Sequence, residues 1–192
     1  MLLLTLALAL TAAPAFAEES AAEPCSRGLR VDLSFPHWFA DEYRTAEQAR
    51  SASLGVGVHP GTKWMELYAR WEWMHLAVDP SHPDHEAMDG LWVDFTSVGL
   101  ALTREVSRGV EGMRVSASLL AVLPRLAGDL PTLGFGGGYA LHYMIDLGNP
   151  GGLRLGPFFD ARENTVRYRR PDGSLTEWQV EVSMNIGIAA FL

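Results

Sequence analysis

Between residues 178 and 192 every second residue is apolar: Trp178, Val180, Val182, Met184, Ile186, Ile188, Ala190 and Leu192. Gln179, Glu181, Ser183, Asn185 and Gly187 lie between them. A period of two puts alternate side chains on opposite sides of a β-strand, so the segment has one apolar face and one polar or small face. The same alternation runs through residues 133–145, 113–123, 65–73, 153–161 and 29–35. None of these six apolar faces carries a charge, in a chain that is 20% charged residues. Two weaker segments complete the set. Leu54, Val56 and Val58 alternate with small residues, and in 91–103 the apolar parity switches from Leu91, Val93, Phe95 to Val98, Leu100, Leu102. The switch predicts a β-bulge near Thr96-Ser97, where an extra residue would reverse the facing of the strand.

Gly, Pro, Asn and Asp gather between these segments, where turns require them. Residues 36–50 and 79–90 are long polar connections, while 59–62 (His-Pro-Gly-Thr) and 107–111 are short. Next come 125–131, the Gly-Asn-Pro-Gly-Gly turn at 148–152, and 169–174 around Pro171-Asp172-Gly173. Eight strands with both ends on one side, short turns there and longer loops opposite, predict an all-β, eight-stranded antiparallel up-and-down transmembrane β-barrel over residues 28–192.

The N-terminus changes the picture by supplying an address. Residues 1–17 are an apolar run closing on Ala15-Phe16-Ala17 and followed by Glu18-Glu19, the pattern of a cleaved secretory signal peptide. Residues 18–27 then read as an N-terminal extension. Cys25 is the single cysteine and sits in Glu-Pro-Cys, outside any lipoprotein box, so it reads as a passive thiol and no internal disulfide can form. The formal net charge of −8 argues against a nucleic-acid partner. Past residue 17 no stretch approaches the roughly 18 apolar residues of a spanning helix. A membrane crossing, if there is one, must use strands.

A soluble lipocalin-like barrel shares the period but turns its apolar side inward. Three features favour the opposite polarity. The polar faces are rich in small residues (Gly55, Gly57, Gly134, Gly136, Gly138, Ser116, Ser118), the chain stops on a strand rather than a helix, and Lys63 is the only lysine. On this reading the enclosed residues include Arg30, Asp32, Glu66, Tyr68, Arg70, Glu72, Asp94, Arg114, His142, Arg154, Asp160, Arg162 and Glu181. Their charges nearly balance. Buried charges need partners, so the expectation is a lumen plugged by a salt-bridge network, with no open pore. Trp64, Trp71, Trp73, Tyr143, Phe159 and Trp178 are read as outward aromatic girdles at headgroup depth.

In strand order and polarity the segment 28–192 resembles the small eight-stranded outer-membrane barrels, such as the OmpA transmembrane domain and OmpX. The likeness is architectural, with no family-specific motif. Its last strand is also similar to the signal that the assembly machinery of such barrels reads, although the final residue is Leu192 and the aromatic Phe191 stands one place early. The resemblance implies a Gram-negative outer-membrane location, with lipid, lipopolysaccharide and the assembly machinery as partners.

Candidate chemistry is sparse. His82, Asp84, His85 and Glu86 are types that a divalent ion accepts, but the spacing matches no structural zinc pattern, so 81–86 reads as an exposed loop holding no metal. Ser116, His142 and Asp160 are the residue set of a nucleophilic hydrolase, with Ser116 roughly opposite His142 and Asp160 on the next strand. A packed polar core explains them more simply, and the His-x-Ser pattern of the lipid A deacylase barrels is absent. Arg167, Arg169 and Arg170 flank the last outer loop and could meet phosphate. The expected function is therefore a structural or interaction barrel acting through its outer loops, with no cofactor. A lipid-modifying enzyme and a soluble carrier of a hydrophobic ligand are the alternatives.

Overall fold

A computed structural model describes residues 28–40, 51–60, 64–76, 78–105, 112–126, 130–147 and 153–192. The signal peptide, the N-terminal extension with Cys25 and the short turn at 107–111 lie outside the described residues. So does 41–50, most of the first long connection.

Each alternating segment forms a strand: β1 (Leu29–Ala40), β2 (Ser51–Val58), β3 (Met65–His75), β4 (Trp92–Glu105), β5 (Met113–Leu126), β6 (Gly134–Tyr143), β7 (Ile145–Asp146), β8 (Arg154–Val166) and β9 (Gln179–Phe191). Strands β6 and β7 form one stave broken at Met144, since both pair with β8. Neighbours in sequence are antiparallel neighbours in space, and β9 returns to β1. The sheet thus closes as an eight-stranded up-and-down barrel. Closure removes the free edges that an open sheet would expose. Reciprocal hydrogen bonds between Leu29 and Leu192, at 3.0 and 2.8 Å, place the first and last strands side by side. The strand ends beside them, Val58, Met65, Tyr143 and Arg154 among them, define the terminal end, and 78–91 and 167–178 lie at the opposite loop end.

The bulge lies elsewhere than expected. Strand β4 keeps an unbroken register with both β3 and β5 through Thr96-Ser97. The ladder instead shifts between Ser34 and His37 of β1, against Gly187 and Asn185 of β9. Pro36 falls within that interval, and a proline has no N–H to give to a ladder. The parity switch in β4 is chemical, not geometric: Val93 and Phe95 point inward and are buried, while Val98 and Leu100 point outward and are exposed.

Inward apolar residues are possible there because the loop-end half of the interior is itself apolar. Met74, Val93, Phe95, Leu120, Val122, Leu126 and Val166 from the strands join Leu76, Val78, Met88 and Tyr168 from the connections in one buried cluster. Burial of this kind stabilises by about 25 cal/mol per Å² removed from water. The 79–90 connection, read from the sequence as open loop, contains a single helical turn, α1 (His85–Met88), that drops Met88 into the cluster. Among the described residues no helix is long and apolar enough to cross a membrane.

Candidate functional site

Toward the terminal end the interior is polar, because the inward rows of β1, β3 and β8 carry charges while those of β2 and β6 carry glycine. The small residues make room for the large ones. A Cβ on Gly55 would overlap Asp32 Oδ1, and one on Gly57 would overlap Glu66 Oε1.

Arg30 pairs with Asp32 at 3.2 Å and with Glu66 at 2.9 Å, and Glu66 also meets His59 at 3.2 Å. Arg114 Nη2 donates to Thr103 Oγ1 at 2.9 Å and contacts His59 Nε2 at 2.5 Å. Higher in the lumen, Asp160 is held by Arg70 at 2.8 Å and Arg162 at 2.7 Å. Arg70 also reaches Glu72 at 3.5 Å and donates to Ser34 Oγ at 3.1 Å, while Arg162 donates to the Tyr68 hydroxyl at 2.9 Å. The guanidiniums of Arg30 and Arg162 lie 4.6 and 5.4 Å from the Tyr68 ring centroid, adding cation–π contact. Glu181, also buried, accepts from the Tyr168 hydroxyl at the boundary with the apolar cluster. Arg154 occupies the inward register at the terminal rim and is half-buried.

Asp94 does not belong to this network. Since Val93 and Phe95 fill the apolar half, alternation turns Asp94 outward, where it pairs at 2.7 Å with exposed Arg125, its register partner on β5. A second outward charge escaped the sequence reading. Glu163 follows Pro157, Phe159 and Ala161 on the outward row of β8, beside Gly137 and Val182. One of its carboxylate oxygens is buried with no hydrogen-bond partner. The strand pattern breaks off just before it, at Ala161.

Apart from exposed Arg104 near the terminal end of β4, the rest of the outside is largely apolar. Leu33, Leu67, Val98, Leu100, Leu141, Ile186 and Ile188 are all exposed. Of the aromatic residues singled out, Trp71, Trp73, Tyr143, Phe159 and Trp178 are exposed and Trp64 is half-buried. Phe159 sits in the middle of β8, between Leu141 and Ile186, and not at a strand end. Trp92, 54% exposed and edge-on to His75 at 5.3 Å, stands at the loop end, as does Phe135, tilted against Trp178 at 6.0 Å. Both are on the outward rows of their strands, a parity legible in the sequence.

Ser116, His142 and Asp160 share the lumen without forming a relay. The register sets Ser116 opposite Ala140, and Ala140 opposite Asp160, with His142 opposite Arg114 and Phe158. His142 stacks on Phe158 at 5.5 Å and meets Arg30 Nη1 at 3.5 Å, while Asp160 is taken by two arginines. A hydrolase needs its base bonded to both nucleophile and orienting acid, and neither bond occurs among the described residues.

At the loop end the histidine-rich segment folds on itself. His82 Nδ1 accepts the Asp84 N–H at 3.1 Å, His85 Nδ1 lies 2.9 Å from the Val78 carbonyl, and Asp84 is claimed by Arg170. Arg167 donates to the Thr176 carbonyl at 2.8 Å and lies over the Trp178 ring, and Arg169 donates to the Gly173 carbonyl at 3.2 Å. Half-buried Asp79 accepts from both the hydroxyl and the N–H of Ser81, and exposed Asp172 likewise from Ser174. Those hydrogen bonds, the hydroxyl's foremost, hold both carboxyls below the usual carboxylate range.

No protein-family model and no curated protein matches the chain. Among solved structures, one described as "De novo design of transmembrane beta-barrels" is similar over 89% of this chain and 98% of that chain, at 13% identity and a TM-score of 0.39.

Proposed function

We propose that this chain is an integral outer-membrane barrel protein, exported by cleavage of residues 1–17, that serves as a structural element or interaction scaffold through its loop-end connections. One observation carries the membrane reading: the outward rows are overwhelmingly apolar, while the buried charge network lies inside. Water on the outside would leave the exposed leucines, valines and isoleucines of every stave unburied, whereas hydrocarbon satisfies them. Turning an inward arginine to mid-bilayer would cost on the order of 2 to 4 kcal/mol, which fixes the register of each strand. The same polarity is the reverse of what a soluble carrier needs.

The interior supports a closed lumen rather than a pore. Ion pairs fill one half and apolar side chains the other, and the cavity between the polar side chains measures ≈ 20 Å³. Function then falls to the surfaces that remain, the outer lipid-facing belt and the loop end, with outer-membrane lipid, lipopolysaccharide and the assembly machinery as partners. Loops held on a rigid wall are where binding residues concentrate. The disposition of Ser116, His142 and Asp160 gives a lipid-modifying enzyme no support.

Membrane fractionation with gels run before and after heating tests the proposal. A band in the outer-membrane fraction that migrates differently once boiled is expected. A soluble periplasmic band whose migration heating does not change would overturn it.

A further inference from the structure

The ≈ 20 Å³ cavity lies where the wall is lined by small side chains, Ser116, Ser118 and Ala140 of β5 and β6, facing Arg30, His142 and Asp160. Elsewhere at this height guanidinium groups reach across and fill the lumen; here serine and alanine are too short to meet them. His142 and Asp160 are 1% and 2% exposed, and each keeps a buried polar atom, Nδ1 and Oδ1, with no hydrogen-bond partner.

We propose that this cavity is an internal hydration site, in which one or two ordered waters complete the hydrogen bonds of His142 and Asp160. The size suits it, because a space of about one probe sphere, roughly 10 to 15 Å³, admits a water. The chemistry suits it as well. Cavities that stay dry are apolar, whereas this one offers serine hydroxyls, a carboxylate, an imidazole and a guanidinium, the two to four polar partners that a buried water needs. A polyatomic ligand would not fit. The apolar cluster seals the loop end, so the water exchanges past His59 and Arg114 at the terminal end and stays long enough to be seen. The polar half of the lumen is then a hydrated core, distinct from the dry half above it.

Water itself is the probe. In the full-length protein folded in detergent micelles, water-to-protein cross-relaxation by NMR should give a cross-peak at the ring C–H protons of His142. The cross-peak should persist in Ser116→Ala, which removes a hydroxyl able to relay the signal. Ala140→Val should abolish it and lower the urea midpoint, since the added methyls displace water without replacing its hydrogen bonds. Absence of the cross-peak in the wild type would overturn the site, as would a urea midpoint that rises in Ala140→Val, the response of a dry void being filled. Should Ala140→Val fail to fold, the wild-type cross-peak alone decides.

Discussion

Asp84 and Arg170 join the two loops at the mouth of the barrel: Arg170 Nε donates to Asp84 Oδ1 at 2.7 Å and Nη2 to Oδ2 at 3.1 Å. Each residue stands in a different connection, and the contact holds α1 against the 167–178 loop with Met88 seated below. Such a fork needs a planar guanidinium, which lysine does not supply.

Asp84→Ala should therefore loosen the mouth without opening the wall. A loss of about 1.5 kcal/mol is expected, the low end of the range for a hydrogen bond to a charged group, because the pair is partly exposed. Limited proteolysis should cut the 79–90 connection faster in Asp84→Ala and in Arg170→Lys than in the wild type. Unchanged cleavage in both would show that the fork does not hold the loop.

Arg70 is the deepest cation of the lumen, 1% exposed, and bridges Asp160, Glu72 and Ser34. Arg70→Met leaves Arg162 as the one guanidinium on Asp160 and removes the Arg70 contact of Glu72, and should destabilise by about 3 kcal/mol, the lower end of the range for breaking a buried pair. Arg70→Lys should recover only part of this, since one ammonium cannot occupy both positions of the fork. Urea unfolding in micelles reads both variants. An Arg70→Met protein as stable as the wild type would mean that the network is not under tension from its charges.

Gly57 lies flat beneath Glu66, which Arg30 and His59 hold in place. Gly57→Ala should cost about 1 to 3 kcal/mol by overpacking. In a Glu66→Ala background the added methyl meets no carboxylate, so the same substitution should cost little, and the double-mutant cycle should show coupling. Additive effects would separate the two residues.

Period two places every strand and the facing of most side chains, because one face of each meets a different medium from the other. It locates ten of the eleven charges assigned to the lumen on inward rows. Asp94 fails because apolar periodicity cannot tell an apolar interior from an apolar exterior, and at the loop end of β4 both are present. The bulge at Pro36 was hidden for a related reason, since Leu29 to Phe35 alternate cleanly right up to it. The Asp84–Arg170 fork joins residues 86 positions apart in sequence, in loops that no period describes.

Asp79 and Asp172 give the loop end a dependence on acid. Their carboxyls are held below the ordinary range in the folded state by Ser81 and Ser174. The turns they close are thus fully stabilised above the ordinary carboxylate pKa, and the stabilisation fades as pH falls through the lowered one. Amide exchange at Ser81 and Ser174, corrected for intrinsic rates, should become less protected only in that acid window. Asp79→Asn and Asp172→Asn should remove the pH dependence at the respective turns.

Glu163 runs against the polarity of the wall. It stands on the outward row of β8 between Gly137 and Val182, three residues below the loop end of the strand, with a carboxylate oxygen that no donor meets. Charges on the lipid face destabilise in a depth-dependent way, acids less than bases. Glu163→Leu should accordingly stabilise the barrel in a lipid bilayer, by roughly 1 kcal/mol. In the same series Val182→Glu, which adds a second outward carboxylate beside it, should destabilise. Unfolding in lipid vesicles distinguishes the cases, and a Glu163→Leu protein less stable than the wild type would show that the carboxylate meets a partner in the membrane instead of bare hydrocarbon.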